Sequence, residues 1–329
     1  MNSRRYHEVD FMYTLGVILV LIGHSHSSDW TKIYGTPIEY IISFIYAFHM
    51  PLFFSISGFL FMNSHKIEKI GYWKYIADKG IKLFVPYFFL SLIVLFPKMH
   101  SDTGSFFDIN YILRALFSPR NGVWGHLWFV PILFFCYVVF GALNRIWISR
   151  FKVSALIALV ICVCLYFIPC NISLFGIADL KDALLFFVFG MIINPLFKLL
   201  SGIKLPIKLV IVIIGLISSI IGWKNFFDYQ IAKMLIAVVM IFDCWVLSSI
   251  VRENALCTWI SRHNFTIYLY SWPAQYVAMI GCDKFALPWL PMLLIMFFTG
   301  VFAPIVLIVL YEKLNKIHCR FLDLILGVK

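Results

Sequence analysis

The chain is 329 residues long, 62% hydrophobic and only 13% charged, with a mean hydropathy of +0.91. A soluble globular domain carries roughly a quarter of its residues as charges, so the composition excludes one of this size and requires a protein whose solvent is lipid. The formal net charge of +11 raises a nucleic-acid partner, but the basic residues are distributed between apolar runs instead of forming one face, and no nucleic acid is expected.

In chain order, apolar blocks lie at 11–26, 38–61, 81–96, 123–143, 153–169, 180–197, 205–222, 231–251, 264–281 and 286–311. Runs of about 20 apolar residues cross a bilayer as helices. The expected fold is therefore all-α, a polytopic integral membrane helical bundle of about ten transmembrane helices. Connections are short, so residues 1–329 are read as a single transmembrane domain without internal repeats or low-complexity linkers. With the N-terminus inside, Arg4, Arg5, Lys66, Lys69, Lys74, Lys79, Lys82, Arg145, Arg150, Lys152, Lys198, Lys204, Lys208, Arg252, Arg262, Lys313, Lys316, Arg320 and Lys329 fall on the inner side. They are the greater part of the 27 lysines and arginines, and that asymmetry orients both termini to the cytoplasm.

The first block closes on "LIGHSHSSDW", Leu21 to Trp30. Its apolar part is short and follows Arg4-Arg5 as a secretory signal does, but Glu8 and Asp10 stand where that signal needs basic residues. At about 100° per residue, Asp10, Tyr13, Val17, Val20 and His24 form one helical stripe, while His26 lies roughly 200° from His24. Asp10 and His24 are then about 21 Å apart along the axis, at the inner and outer ends of one face. An imidazole facing the bundle interior suits a general base; both histidines also fit interfacial positions at a helix end, with His26 surfacing into water. Metal binding by "HSH" is disfavoured because an i, i+2 pair splays across a helix, and no metal is expected.

The second block contains "FHMPLFFSISGFLF", Phe48 to Phe61. Pro51 removes a backbone donor and predicts a kink, while Ser55, Ser57 and Gly58 allow close helix approach. His49 is an ionisable group in mid-block, and it joins Ser57 as a substrate-side candidate. Over 66–82, Ile67, Ile70, Trp73, Ala77 and Ile81 recur at helical spacing beside lysines, which predicts an amphipathic segment lying in the inner interface. Most such lysines snorkel to headgroups, but Lys79 and Lys82 stand i, i+3 at the mouth of a span and suit a multiply phosphorylated cytoplasmic ligand.

"VWGHLWFVP", Val123 to Pro131, opens the fourth block on the side of His24. Trp124 and Trp128 fit an aromatic belt, and His126 with Trp128 equally fits the polar edge of an outward-facing site. Of the eight cysteines, Cys136, Cys162, Cys164 and Cys244 lie in apolar runs as small hydrophobes. The chain has no CxxC pair, and a Cys170–Cys282 bridge between outer loops is left open. Asp243 is an intramembrane carboxylate with no evident partner.

"VDFMYTLGVILVLIGHS", "FHMPLFFSISGFLF", "KGIKLFVPYF", "HLWFVPILFFCYV" and "ISRHNFTIYLYSWP" resemble, in order and spacing, the hallmarks of the membrane acyltransferase-3 family. The resemblance covers nearly the whole chain. It implies a transmembrane acyltransferase domain in a bacterial inner (plasma) membrane that O-acetylates an envelope glycan or lipid-linked sugar, such as an O-antigen. It implies acetyl-CoA as the acyl donor, the lipid bilayer as a partner, His24 as the catalytic histidine and Asp10 as the acidic residue opening its span. The family's Arg-x-x-Arg motif, associated with acetyl-CoA, matches Lys79-Gly80-Ile81-Lys82, where lysine meets phosphate as a point charge without the bidentate fork. An oxyanion stabiliser is also needed, with His126, Ser57 and Asn264 as candidates.

Two departures from the family pattern stand out. Tyr13 replaces a frequent cation, and Tyr270-Ser271-Trp272 stands where many members carry a histidine after "IYL". Self-association is left open. The main rival reading is a multi-span transporter or flippase in which His24, His49 and Asp243 form a polar path. An envelope glycan polymerase and a non-catalytic membrane scaffold are the others.

Overall fold

The computed structural model describes residues 6–27, 29–121, 125–144, 151–314 and 319–328, and every regular element among them is helical. Arg4, Arg5, Val123, Trp124, Arg145, Arg150, Lys316 and Lys329 lie outside the described residues. The helices are α1 (His7–Gly23), α2 (Pro37–Tyr46), α3 (His49–Ser64), α4 (Lys66–Ile70), α5 (Tyr72–Thr103), α6 (Ile109–Phe117) and α7 (Phe129–Ala142). They continue with α8 (Phe151–Phe167), α9 (Ile177–Ser201), α10 (Leu205–Phe226), α11 (Gln230–Ser248), α12 (Ala255–Lys284), α13 (Trp289–Leu314) and α14 (Arg320–Leu326).

Six helical stretches among the described residues are long and apolar enough to cross a membrane: Pro37–Ser64, Tyr72–Thr103, Gly125–Ala142, Leu205–Phe226, Gln230–Ser248 and Trp289–Lys313. The other apolar blocks form α1, α8, α9 and α12. Of these, α1 has 17 residues with Glu8 and Asp10 in its first turn, and α12 carries Arg262, His263, Asn264 and Gln275 among its apolar residues. Only 17% of the most apolar window of α10 is buried, against 67% for Pro37–Ser64. Exposed Ile213, Ile214, Ile217 and Ile221 on α10 therefore need a lipid neighbour, whereas most of α3 is buried.

The chain forms two compact units, one combining Met1–Ile56 with Asn194–Cys319 and the other Ser57–Ile193 with Arg320–Gly327. In the first, α12 packs along α1 and α13, and α10 packs on α11. Its interior includes Met12, Val17, Val20 and Leu21 of α1, Ile241 and Trp245 of α11, and Ile267 and Leu269 of α12. The Trp245 indole donates to Ser55 Oγ at 3.4 Å. Lipid tails are as apolar as these side chains, so close packing and such hydrogen bonds stabilise the bundle more than exclusion from water does. In the second unit α5 packs on α7 around an aromatic core, where Phe187 stacks on Phe140 with centroids 5.1 Å apart and meets Phe61 at 5.7 Å.

Two residues, Pro51 and Gly71, mark turns within these helical segments. Pro51 kinks its helical stretch, as expected: the turn falls at Ala47 and Phe48, between α2 and α3, inside the continuous stretch Pro37–Ser64. The proline ring crowds the carbonyl four residues back, at Ala47, and the backbone there switches to i, i+3 bonds from Ala47 to Phe44 and from Phe48 to Ile45. The segment 66–82 is not one continuous helix. Gly71, at φ 82°, a conformation open to glycine, divides it into the short α4 and the first turns of α5, which runs on for 32 residues.

Candidate active site

His24 ends α1. Its backbone N–H still bonds Val20 O at 3.0 Å, but its own φ and ψ of −98° and 1° have left the helix. The half-buried imidazole meets two aromatic rings, Trp272 of α12 with centroids 4.9 Å apart and Tyr46 of α2 at 6.3 Å. On the other side of Tyr46 lies His49, its ring 5.2 Å away. The structure thus brings His24 and His49 to one aromatic cluster. His49 Nδ1 donates to Ile45 O at 2.9 Å, which satisfies one nitrogen of this buried ring.

The last turn of α1 is held from three directions. Gln275, fully buried, donates through Nε2 to Leu21 O at 2.9 Å and contacts Ser25 Oγ at 3.0 Å. Tyr46 Oη donates to Gly23 O at 2.5 Å. Beyond His24, Ser27 Oγ donates to Asp283 Oδ1 at 2.8 Å, and Lys32 Nζ reaches the same oxygen at 2.6 Å. His26 does not surface into water as expected. Its Nδ1 donates to Ser27 O at 2.7 Å, its ring packs edge-on against Trp30 at 4.6 Å, and burial pulls its pKa below the ordinary histidine value against that hydrogen bond.

An exposed ion pair contributes under about 1 kcal/mol, so Asp283 acts here by fixing a loop more than by adding stability. Asp283→Ala is expected to speed tryptic cleavage after Lys32 several-fold in the detergent-solubilised protein while leaving its thermal midpoint within a few degrees. A cleavage rate equal to wild type would show that the loop is held by other contacts.

At the far end of α1, Asp10 is buried and accepts from Thr258 Oγ1 at 3.4 Å in the first turns of α12, where the helix dipole favours a carboxylate. The buried His263 of α12 lies close by in sequence, with Nδ1 on Trp259 O at 2.9 Å and Nε2 3.5 Å from Glu312. Asn264 donates its amide to Ser261 O at 2.5 Å. Asp243 is buried in α11, packed against Gly215, and its Oδ2 has no hydrogen-bond partner among the described residues. The stripe side of α1 faces a void of about 10 Å3 lined by Val17, Val20, Leu21, Phe53, Ile267, Tyr268 and Ser271, room for about one water.

The remaining candidates lie in the second unit. Ser57 bonds the Tyr137 hydroxyl. Half-buried His126 and Trp128 share a 3-10 turn, Gly125–Trp128, and the Arg120 guanidinium covers the Trp128 ring at 4.0 Å while its Nε donates to Asp179 at 2.7 Å. Lys79 and Lys82 part company despite their spacing. Lys79 points at aromatic rings, its ammonium 4.0 Å from the Tyr137 centroid and 5.7 Å from that of Tyr75. Lys82 is exposed. Cys170 and Cys282 are free thiols, Cys282 buried within α12, so the bridge left open between them is not formed.

Trp272, Tyr46, Gln275 and Asp283 were not legible as site residues. Gln275 offered a signal, an amide in the middle of the apolar block 264–281, where an unbonded polar group is costly. Against known proteins, the family model described as an acyltransferase domain, acyltransferase 3, matches residues 6–311. The nodulation protein NolL of Mesorhizobium japonicum is 22% identical over 269 residues, 72% of this chain and 68% of that protein. NolL of Sinorhizobium fredii is 27% identical over 146 residues, 41% of this chain and 36% of its own length. No solved structure matches. A family match that spans all the helices from α1 to most of α13, on a chain built of apolar spans, leads to one conclusion: this protein belongs to the acyltransferase-3 family and is a membrane acyltransferase.

Proposed function

We propose that the protein transfers an acetyl group from cytoplasmic acetyl-CoA to a hydroxyl of an envelope glycan or lipid-linked sugar at a bacterial inner membrane, with both termini cytoplasmic. The observation that carries the reading is His24, the family's catalytic position, held at the end of α1 between Trp272 and Tyr46. The phosphates of the donor bind at the inner end of α5, where Lys82 is exposed, with Lys79 one turn earlier. The thioester end of the donor lies on the stripe side of α1, at Val17 and Val20, once that narrow void opens. Asp10 is a positioning residue, joining α1 to the start of α12 through Thr258.

His24 takes the proton of the acceptor hydroxyl as its oxygen attacks the thioester carbonyl. The tetrahedral intermediate collapses by breaking the C–S bond, and the imidazolium returns the proton to the leaving thiolate. In the alternative route the His24 nitrogen attacks the thioester, the C–S bond breaks and CoA leaves as its thiolate, which takes the imidazole proton. The hydroxyl then attacks the acetyl-imidazole and its proton returns to the freed His24. The oxyanion that forms also needs a hydrogen-bond donor.

The test is expression in a host lacking the gene, followed by NMR of its envelope glycans. New O-acetyl signals are expected with the wild type. A host whose glycans gain no acyl group while a solute crosses its membrane would favour a transporter and remove the reading.

A further inference from the structure

In the second unit, α14 packs on α5, and a pocket of about 230 Å3 opens between them, lined by Asp78, Ile81, Lys82, Arg320, Asp323 and Leu324. Lys79 does not line it, being turned onto Tyr137 and Tyr75. Two cations do, Lys82 from α5 and Arg320 from the far end of the chain. Neither makes an ion pair among the described residues, whereas Asp78 has Lys66 at 3.6 Å. Lys66 and Lys79 add their positive field to that of the Lys82 ammonium, offset in part by the Asp78 carboxylate. An anion seated here relieves that repulsion and gains a guanidinium, whose fork meets phosphate oxygens in pairs where an ammonium offers a point charge.

We infer that Arg320, carried by the C-terminal helix α14, is the second cation of a nucleotide site and holds the donor's phosphates together with Lys82. The two carboxylates favour a nucleotide over bare phosphate. Asp78 and Asp323 repel a free anion but accept hydrogen bonds from ribose hydroxyls or an adenine amino group. This inference rests on the acetyl-CoA reading above, and it changes the partner of Lys82 from Lys79 to Arg320. It also gives α14 a role in binding, since this helix then closes one side of the site.

The test is calorimetric binding of CoA to the purified full chain in phosphatidylcholine nanodiscs, for wild type, R320Q, R320K and K82Q. Loss of a hydrogen-bonded charge from a phosphate site weakens binding about tenfold or more, so R320Q and K82Q are each expected to do so, with R320K between them and wild type. Arg320 is exposed, and equal thermal midpoints for wild type and R320Q confirm folding. If R320Q binds CoA as wild type does while wild type transfers acetyl, the inference is overturned and the proposed function stands. If wild type neither binds CoA nor transfers acetyl, both fall. If R320Q leaves CoA affinity unchanged but weakens association with phosphatidylglycerol lipids, the pocket is a lipid-headgroup site and the inference is likewise overturned.

Discussion

Replacing His24 by glutamine is expected to lower acetyl transfer by about 10²- to 10⁴-fold, equivalent to roughly 3–5.5 kcal/mol of transition-state stabilisation, with normal amounts of protein in the membrane. Glutamine keeps a planar, half-buried group against Trp272 and Tyr46, so the substitution removes the basic nitrogen with little change in packing. Alanine at 24 should lose as much activity, with an added packing cost because the Trp272 ring 4.9 Å away loses its neighbour. The measurement is thiol release from acetyl-CoA together with O-acetyl content of the acceptor. Wild-type turnover by His24→Gln would remove the base and the carrier at once. The two routes separate when the acceptor is withheld. Radiolabelled acetyl retained by wild type and not by His24→Gln marks the carrier route, and no retention marks direct transfer.

The second large effect concerns stability. A Cβ at Gly58 would run into the backbone carbonyl of Phe187, and backbone cannot rotate away as a side chain does. Gly58→Ala is expected to cost about 1–3 kcal/mol or more, seen as a lowered thermal midpoint and poor yield in detergent. Gly281→Ala is the matched control. It also lies inside a helix, but nothing stands within 4 Å of its new Cβ, and alanine gains about 0.5–1 kcal/mol of helix propensity. Equal midpoints for Gly58→Ala and wild type would show that α3 and α9 can separate at no cost, contrary to the packing seen within this unit.

Composition and hydropathy fixed the solvent and the helical class, because a backbone in lipid must satisfy its own hydrogen bonds. Helical phase placed Asp10, Val17 and Val20 on one side of α1, and all three are buried. Lys79 and Lys82 share a spacing but not their surroundings. Two residues three apart leave a helix in similar directions, but what each meets depends on the neighbouring helix, and Tyr137 of α7 captures one ammonium while the other stays exposed. Pro51 announced a kink, and its place at Ala47 follows from the ring crowding the carbonyl four residues earlier.

The sequence by itself determined that this chain is a helical membrane protein, that His24 closes its first helix, and, through its ordered motifs, which family it belongs to. These depend on composition, local period and short segments, all of which are properties of neighbouring residues. Only the tertiary structure decided that Trp272, Tyr46 and Gln275 surround the end of α1, that His26 is packed instead of wetted, and that Arg320 stands beside Lys82. Those residues come from segments up to some 250 positions apart, as in the Gln275 bonds to Leu21 and Ser25. Their meeting is set by how helices with similar apolar surfaces choose one another, a choice made by shape and a few buried hydrogen bonds that no local pattern records.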